Sequence, residues 1–170
     1  MANTMTLIEA KTLASSATSI TFSSIPQTYT DLKLVTSARM SLNSTAYGLN
    51  FNGSTSGYSY KRLWGDGSTA NSGQGSSLTI MEGILALSQL SNTANTFGSA
   101  EIYIPNYTSG NNKSVSVDAL LETNGTSAYT ELYAGLWGNT AAITSILITP
   151  ADSGSFVQYS TFYLYGIKSS

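Results

Sequence analysis

The sequence contains no cysteine and no histidine, only 3 prolines, and charged residues at just 9% of its 170 positions. Without cysteine there are no disulfides and no thiolate ligands, and the redox compartment is left open. Without histidine there is no Ser-His-Asp hydrolysis, no imidazole acid–base chemistry and almost no route to a zinc site. The 7 lysines and arginines are scattered, Lys61-Arg62 being the one adjacent pair, and the net charge is -2. Neutralising a phosphate backbone takes clustered cations, so nucleic acid is excluded as a partner. No apolar run approaches the roughly 18 residues of a membrane-spanning helix, so no membrane insertion is expected. The first residues, MANTMTLIEAKTL, lack the basic region and long apolar run of a secretory signal.

What the chain does have is Ser, Thr, Gly and Asn in abundance, with 41% hydrophobic residues. The hydrophobic content supports a real core, and a chain of this length buries roughly 70% of its unfolded surface as one domain. With charge so scarce against the usual ~25%, solubility rests on hydroxyls and amides. That suits an extracellular or particle-bound β-protein, and equally an assembly subunit whose surface is covered by neighbours.

The organising stretch is residues 97–121, FGSAEIYIPNYTSGNNKSVSVDALL. Ala100, Ile102 and Ile104 alternate with polar residues, as do Val115, Val117, Ala119 and Leu121, which is strand periodicity. Pro, Asn, Ser and Gly fill residues 105–112 between them and mark a turn. This hairpin is expected at the centre of a sheet. Further strands are expected at 6–13, 19–22, 31–39, 46–51, 58–64, 78–82, 130–137, 143–149 and 156–167. The last of these is apolar or aromatic on both faces, as in a strand buried on both sides. Residues 84–90 are the one helix candidate, and 65–77, GDGSTANSGQGSS, read as a long exposed loop. Eight to ten regularly spaced strands predict an all-β, antiparallel β-sandwich, jelly-roll-like, as a single domain over 1–170. Residues 1–5 are a candidate N-terminal arm and 52–77 a Gly/Ser-rich loop region. Leu63-Trp64-Gly65-Asp66 echoes Leu136-Trp137-Gly138-Asn139, too briefly to make a repeat.

Carboxylates are the chemistry that remains. Glu101 and Asp118 sit on the two strands of the central hairpin, and Glu122 and Glu131 follow; all four fall on outward positions or strand ends, where solvated charge outweighs a glycosidase pair. Asp66 and Asp152 lie in turn sequences without the acidic spacing of a calcium loop, so no metal is expected. The N-x-Ser/Thr triplets starting at Asn43, Asn52, Asn106, Asn112 and Asn124 arise by chance in such a composition. Aromatics are more informative. Tyr58, Tyr60 and Trp64 gather near the Gly-rich segment, and Tyr129, Tyr133 and Trp137 share a second strand. Tyr and Trp join an apolar face to a polar handle, which serves core packing, protein interfaces and sugar stacking alike. Tyr58, Tyr60, Trp64, Asp66, Tyr107 and Trp137 are therefore the candidate interface or binding residues.

The phrases SITFSSIPQTYTDLKLVTSAR, NTFGSAEIYIPNYTSGNNKSVSVD, LYAGLWGNTAAITSILITP and GSFVQYSTFYLYGIK resemble small β-sandwich virion proteins of tailed bacteriophages, cyanophage-like, over residues 5–168. The resemblance implies a non-enzymatic protein with no cofactor, on the surface of a phage particle. It implies a capsid decoration (cement) protein that binds the major capsid protein and associates with itself as a homotrimer. In its other branch it implies a fibre or receptor-binding module attaching to host-surface glycan. The absence of a coiled-coil or triple-helical shaft favours the compact decoration protein. Residues 1–6 and 52–77 are the expected intersubunit contacts.

Overall fold

The computed structural model describes residues 4–125 and 128–168, in which there are thirteen β-strands and no helix. In chain order they are β1 (Met5–Thr12), β2 (Ile20–Phe22), β3 (Asp31–Arg39), β4 (Ala46–Phe51), β5 (Tyr58–Gly65), β6 (Ala70–Leu78), β7 (Met81–Leu85), β8 (Leu87–Ser88), β9 (Gly98–Ile104), β10 (Lys113–Glu122), β11 (Ala128–Trp137), β12 (Ile146–Pro150) and β13 (Thr161–Ile167). The larger sheet runs β1-β13-β3-β9-β10-β11-β5-β6, with β8 added alongside β3; the smaller runs β2-β12-β4-β7. All pairings are antiparallel except the short β3–β8 contact. Two antiparallel sheets sharing one core make a β-sandwich.

The central hairpin lies where its sequence predicts, with β9 and β10 in the middle of the long sheet and Val117 opposite Ile102. Its inward set, Ala100, Ile102, Ile104, Val115, Val117, Ala119 and Leu121, is buried. From the facing sheet come Ile20, Phe22, Tyr47, Leu49, Phe51, Met81, Ile84, Ile146 and Ile148, in the same cluster. Around Trp137 the packing is aromatic: the Tyr58 ring stacks on it at 6.1 Å and Phe51 tilts against it at 5.6 Å. The Tyr58 hydroxyl accepts from the Phe51 amide at 2.8 Å, so this phenol is satisfied inside the core. Lys113 is also buried, and its Nζ donates to the carbonyls of Ser109 (2.8 Å) and Asn111 (2.5 Å) in the loop of the central hairpin. Burial lowers the pKa of that amine.

Four sequence expectations are corrected. Residues 84–90 form no helix: Gly83 adopts φ +81, and the run divides between β7, which pairs with β4, and β8, which pairs with β3. A short apolar run has no period of its own, and here the sheet edges claim it. Residues 65–77 are not a long loop, because β6 pairs with β5 from Ala70 to Leu78. The expected strand 78–82 is split at a bend: Leu78 ends β6 in the large sheet and Met81 begins β7 in the small one. The final strand begins at Thr161 and is buried on one face only, through Phe162 and Leu164; Phe156 lies outside it, in bridges to Ala17 and Met40. Of the candidate arm, Met5 already belongs to β1 and pairs with Ile167, and residues 1–3 lie outside the described chain.

Gly98 shows how tightly the small elements are set. A Cβ there would lie 2.3 Å from the Ala86 carbonyl oxygen, and backbone cannot swing aside. Gly98→Ala should cost about 1–3 kcal/mol, read as a lower urea midpoint. Gly110→Ala, with nothing within 4 Å of the new methyl, should leave the midpoint unchanged.

Candidate interaction surface

A sheet of nine strands cannot be covered by one of four, and among the described residues no layer lies over its outer face. Antiparallel strands with one solvated face normally place polar residues there. Here Leu63 and Leu132 stand directly opposite each other on β5 and β11, each 60% exposed. Leu120 and Leu136 add exposed side chains on the same outward parity. The register produces two rows across the strands. One runs Ser72, Leu63, Leu132, Asp118, Glu101, Val35, Tyr163; the next runs Gln74, Lys61, Ala134, Ser116, Tyr103, Lys33, Tyr165. Between them lies an open hollow of about 700 Å³ walled by Lys61, Leu63, Gln74, Ser116, Leu132 and Ala134. A second, of about 510 Å³, continues it past Lys33, Glu101, Tyr103 and Asp118. The surface is thus an apolar floor with hydroxyls and a few balanced charges at its rim.

Glu101 and Asp118 are cross-strand neighbours on this face. Lys33 binds Glu101 at 2.7 Å, and the Glu101 side chain is 61% exposed. Two like charges side by side repel, and the lysine offsets them.

Glu131 departs from its outward expectation. It points inward, with 1% of its surface exposed, because it shares the parity of Tyr133 and Trp137. Its Oε2 accepts from the Leu85 amide at 2.7 Å and its Oε1 lies 3.5 Å from Nη1 of Arg62. Arg62 also donates to the Gly83 carbonyl at 2.5 Å and lies over the Trp64 ring at 4.4 Å. Tyr60 stacks on Tyr133 at 5.0 Å. These side chains cover the inner face of β5 and β6 beyond the reach of the small sheet. Gly73 and Gly75 of β6 lie under Trp64, Arg62 and Tyr60, where a Cβ would come within 3.1 Å of the first ring and 2.6 Å of the last. That is why a strand of glycine and serine forms here.

The six candidate residues therefore separate. Tyr58, Tyr107 and Trp137 are buried, which removes them from any surface; Tyr107 plugs the core by donating to the Pro26 carbonyl. Tyr60 and Trp64 are half-buried on the inner face. Asp66 is a turn residue: its Oδ1 accepts from the Ser68 amide (2.9 Å), the Ser68 hydroxyl (2.9 Å) and the Thr69 amide (2.7 Å). Those bonds hold its carboxyl below the usual range. Asn139 receives the Ala141 amide at 2.8 Å in the same way, so the echoed Leu-Trp-Gly-Asx phrase is a shared strand exit. The outward leucines were missed, although TELYAGLW is apolar on both parities. No cluster of three or more acidic, histidine or cysteine side chains placed to hold a metal ion exists among the described residues. No protein-family model and no curated protein matches the chain.

Burial is the main cause raising the Glu131 carboxyl above its ordinary 4.5, with the Leu85 amide and Arg62 opposing it. Between the unfolded and folded values the folded chain binds more protons, so this group's contribution to stability falls as pH rises through that window. Asp66 acts with the opposite sign, and only below its ordinary 3.8. The urea midpoint of the native chain should fall as pH rises above the ordinary 4.5 of this carboxyl, and Glu131→Gln should flatten that slope.

Proposed function

We propose that this chain is a non-enzymatic structural protein of a tailed-phage particle, a capsid decoration protein that lies on the coat shell by the outer face of its long sheet. The observation that carries the reading is the exposed pair Leu63 and Leu132, with Leu120 and Leu136 beside it, on a surface nearly free of net charge. Apolar side chains gathered on an otherwise polar surface mark contact sites, and an apolar centre within a polar rim is their general anatomy. The sequence phrases that resemble phage virion β-sandwiches are the reason the proposal takes the major capsid protein as the partner. Self-association as a trimer belongs to the same proposal, since several modest patches held together bind a shell far more firmly than one.

Antibody against the chain, viewed on intact particles by electron microscopy, tests the location. Label over the head supports decoration; label at fibre ends turns the reading to host-surface glycan attachment; bare particles overturn the virion reading. The face itself is tested with Leu63→Ser/Leu132→Ser. Both side chains stand in solvent, so the melting temperature should hold while binding to undecorated particles drops about tenfold or more. Unchanged binding would remove this face from the contact.

A further inference from the structure

Arg39 ends β3 with 8% of its surface exposed. A guanidinium this deep ordinarily faces a carboxylate, because desolvating a charge is costly without a counter-charge. Among the described residues the ion pairs join Lys11 to Glu9, Lys33 to Glu101 and Arg62 to Glu131, and Arg39 has none. Its Nη1 and Nη2 donate instead to the carbonyls of Leu90 (3.2 Å), Asn92 (3.0 Å), Thr93 (2.8 Å) and Thr96 (3.1 Å) and to the hydroxyls of Ser88 (3.2 Å) and Thr96 (3.0 Å). These bonds wrap residues 89–97 around the guanidinium and fix that loop. They satisfy the Nη hydrogens but leave the charge without an ionic partner among the described residues. The Nε–H has no acceptor among the described residues and is not among the polar atoms sealed from solvent.

Arg39 lines an open cavity of about 320 Å³ together with Ser16, Asn95, Phe97, Gln158 and Tyr159. Tyr159 is 64% exposed and holds φ +70, a left-handed conformation that a bulky side chain adopts only under constraint. The constraint is visible: its amide donates to the Leu13 carbonyl at 2.8 Å, and the Ser160 amide closes the turn on Val157 at 3.2 Å. Asn95, on the facing loop, is left-handed as well, at φ +63. The Gln158 amide nitrogen is held by the Ala14 carbonyl at 2.9 Å.

We propose that this cavity is a binding site for a carboxylate-bearing sugar residue of the uronic-acid class. The carboxylate faces the uncompensated Arg39 charge, the apolar face of the pyranose lies on the Tyr159 ring, and Gln158 and Asn95 meet its hydroxyls. A phosphate group would ask for several free N–H donors, and here one remains. An aromatic ring open to solvent with amides beside it is what a sugar offers surface for. The volume is at the small end of ligand sites and suits a single ring of a longer chain. This site lies apart from the leucine face and stands whether or not the chain decorates a particle.

Titration of the full chain with trigalacturonate and with maltotriose, followed by amide chemical shifts or by calorimetry, tests it. Tyr159→Gly and Tyr159→Asn both suit the left-handed backbone and remove the ring without disturbing the fold. The expected result is saturable binding of the acidic trisaccharide, with affinity about tenfold lower in both variants and about tenfold lower for the neutral sugar. Failure of the native chain to bind either sugar overturns the proposal, as does undiminished affinity in the variants. Equal affinity for the two sugars overturns the role of Arg39 and the uronate class with it.

Discussion

The mismatch between the two sheets governs this structure. Four strands meet nine, so the shared core covers the middle of the long sheet and leaves its ends to other devices. At the β5–β6 end the device is a set of long side chains laid flat. Arg62, Trp64 and Tyr60 spread over glycines, and Glu131 holds Arg62 while capping the Leu85 amide. Removing the charge of one partner in such a pair leaves the other poorly compensated, so the carboxylate, the guanidinium and the position of β7 act as a unit. At the opposite end β1 is only partly buried, with Ile8 packed against the margin of the core.

Much of this was legible in the sequence, and what was not has physical causes. The central hairpin and β3 are legible because their polar and apolar residues alternate, and one buried face imposes that period; β4, buried on both faces, is marked instead by the Asn52-Gly53 turn that closes it. β6 was read as a loop because its burial partner is the side chains of β5, so it needs no apolar residues of its own. The apparent helix at 84–90 failed because a short apolar run fits either period, and pairing with β4 and β3 decided the matter. Trp137 and Tyr58 were ambiguous between core and surface, since residue type does not reveal parity. Parity does: Trp137 shares it with Val-like core positions across β10, and Leu132 and Leu136 take the other face. Glu131 was misplaced for the same reason, a carboxylate on an inward position looking like any solvated acid until its Arg62 partner is found in space.

The two surfaces that remain differ in construction. The leucine face is broad, shallow and uncharged overall, which suits an extended protein contact. The Arg39 cavity is small and fixed by hydrogen bonds to a single loop, which suits one ring of a small ligand. A charge-poor chain makes such an uncompensated arginine more telling, because few other cations compete with it for an anion.

The outermost strand of the long sheet has one neighbour in that sheet, and that neighbour is the last strand: Met5 pairs with Ile167, and the Lys168 amide donates to the Thr4 carbonyl at 2.9 Å. During synthesis the first strand therefore emerges long before anything exists for it to pair with. At about 5–20 residues per second, it waits on the order of ten seconds for β13. The first half of the chain cannot be finished by its own residues either, since β3 needs β9 and β13, and β2 needs β12. Folding is consequently an event of the whole chain, slow in the way of proteins dominated by distant contacts. A truncated product would expose unpaired strand edges, the surface on which aggregation begins.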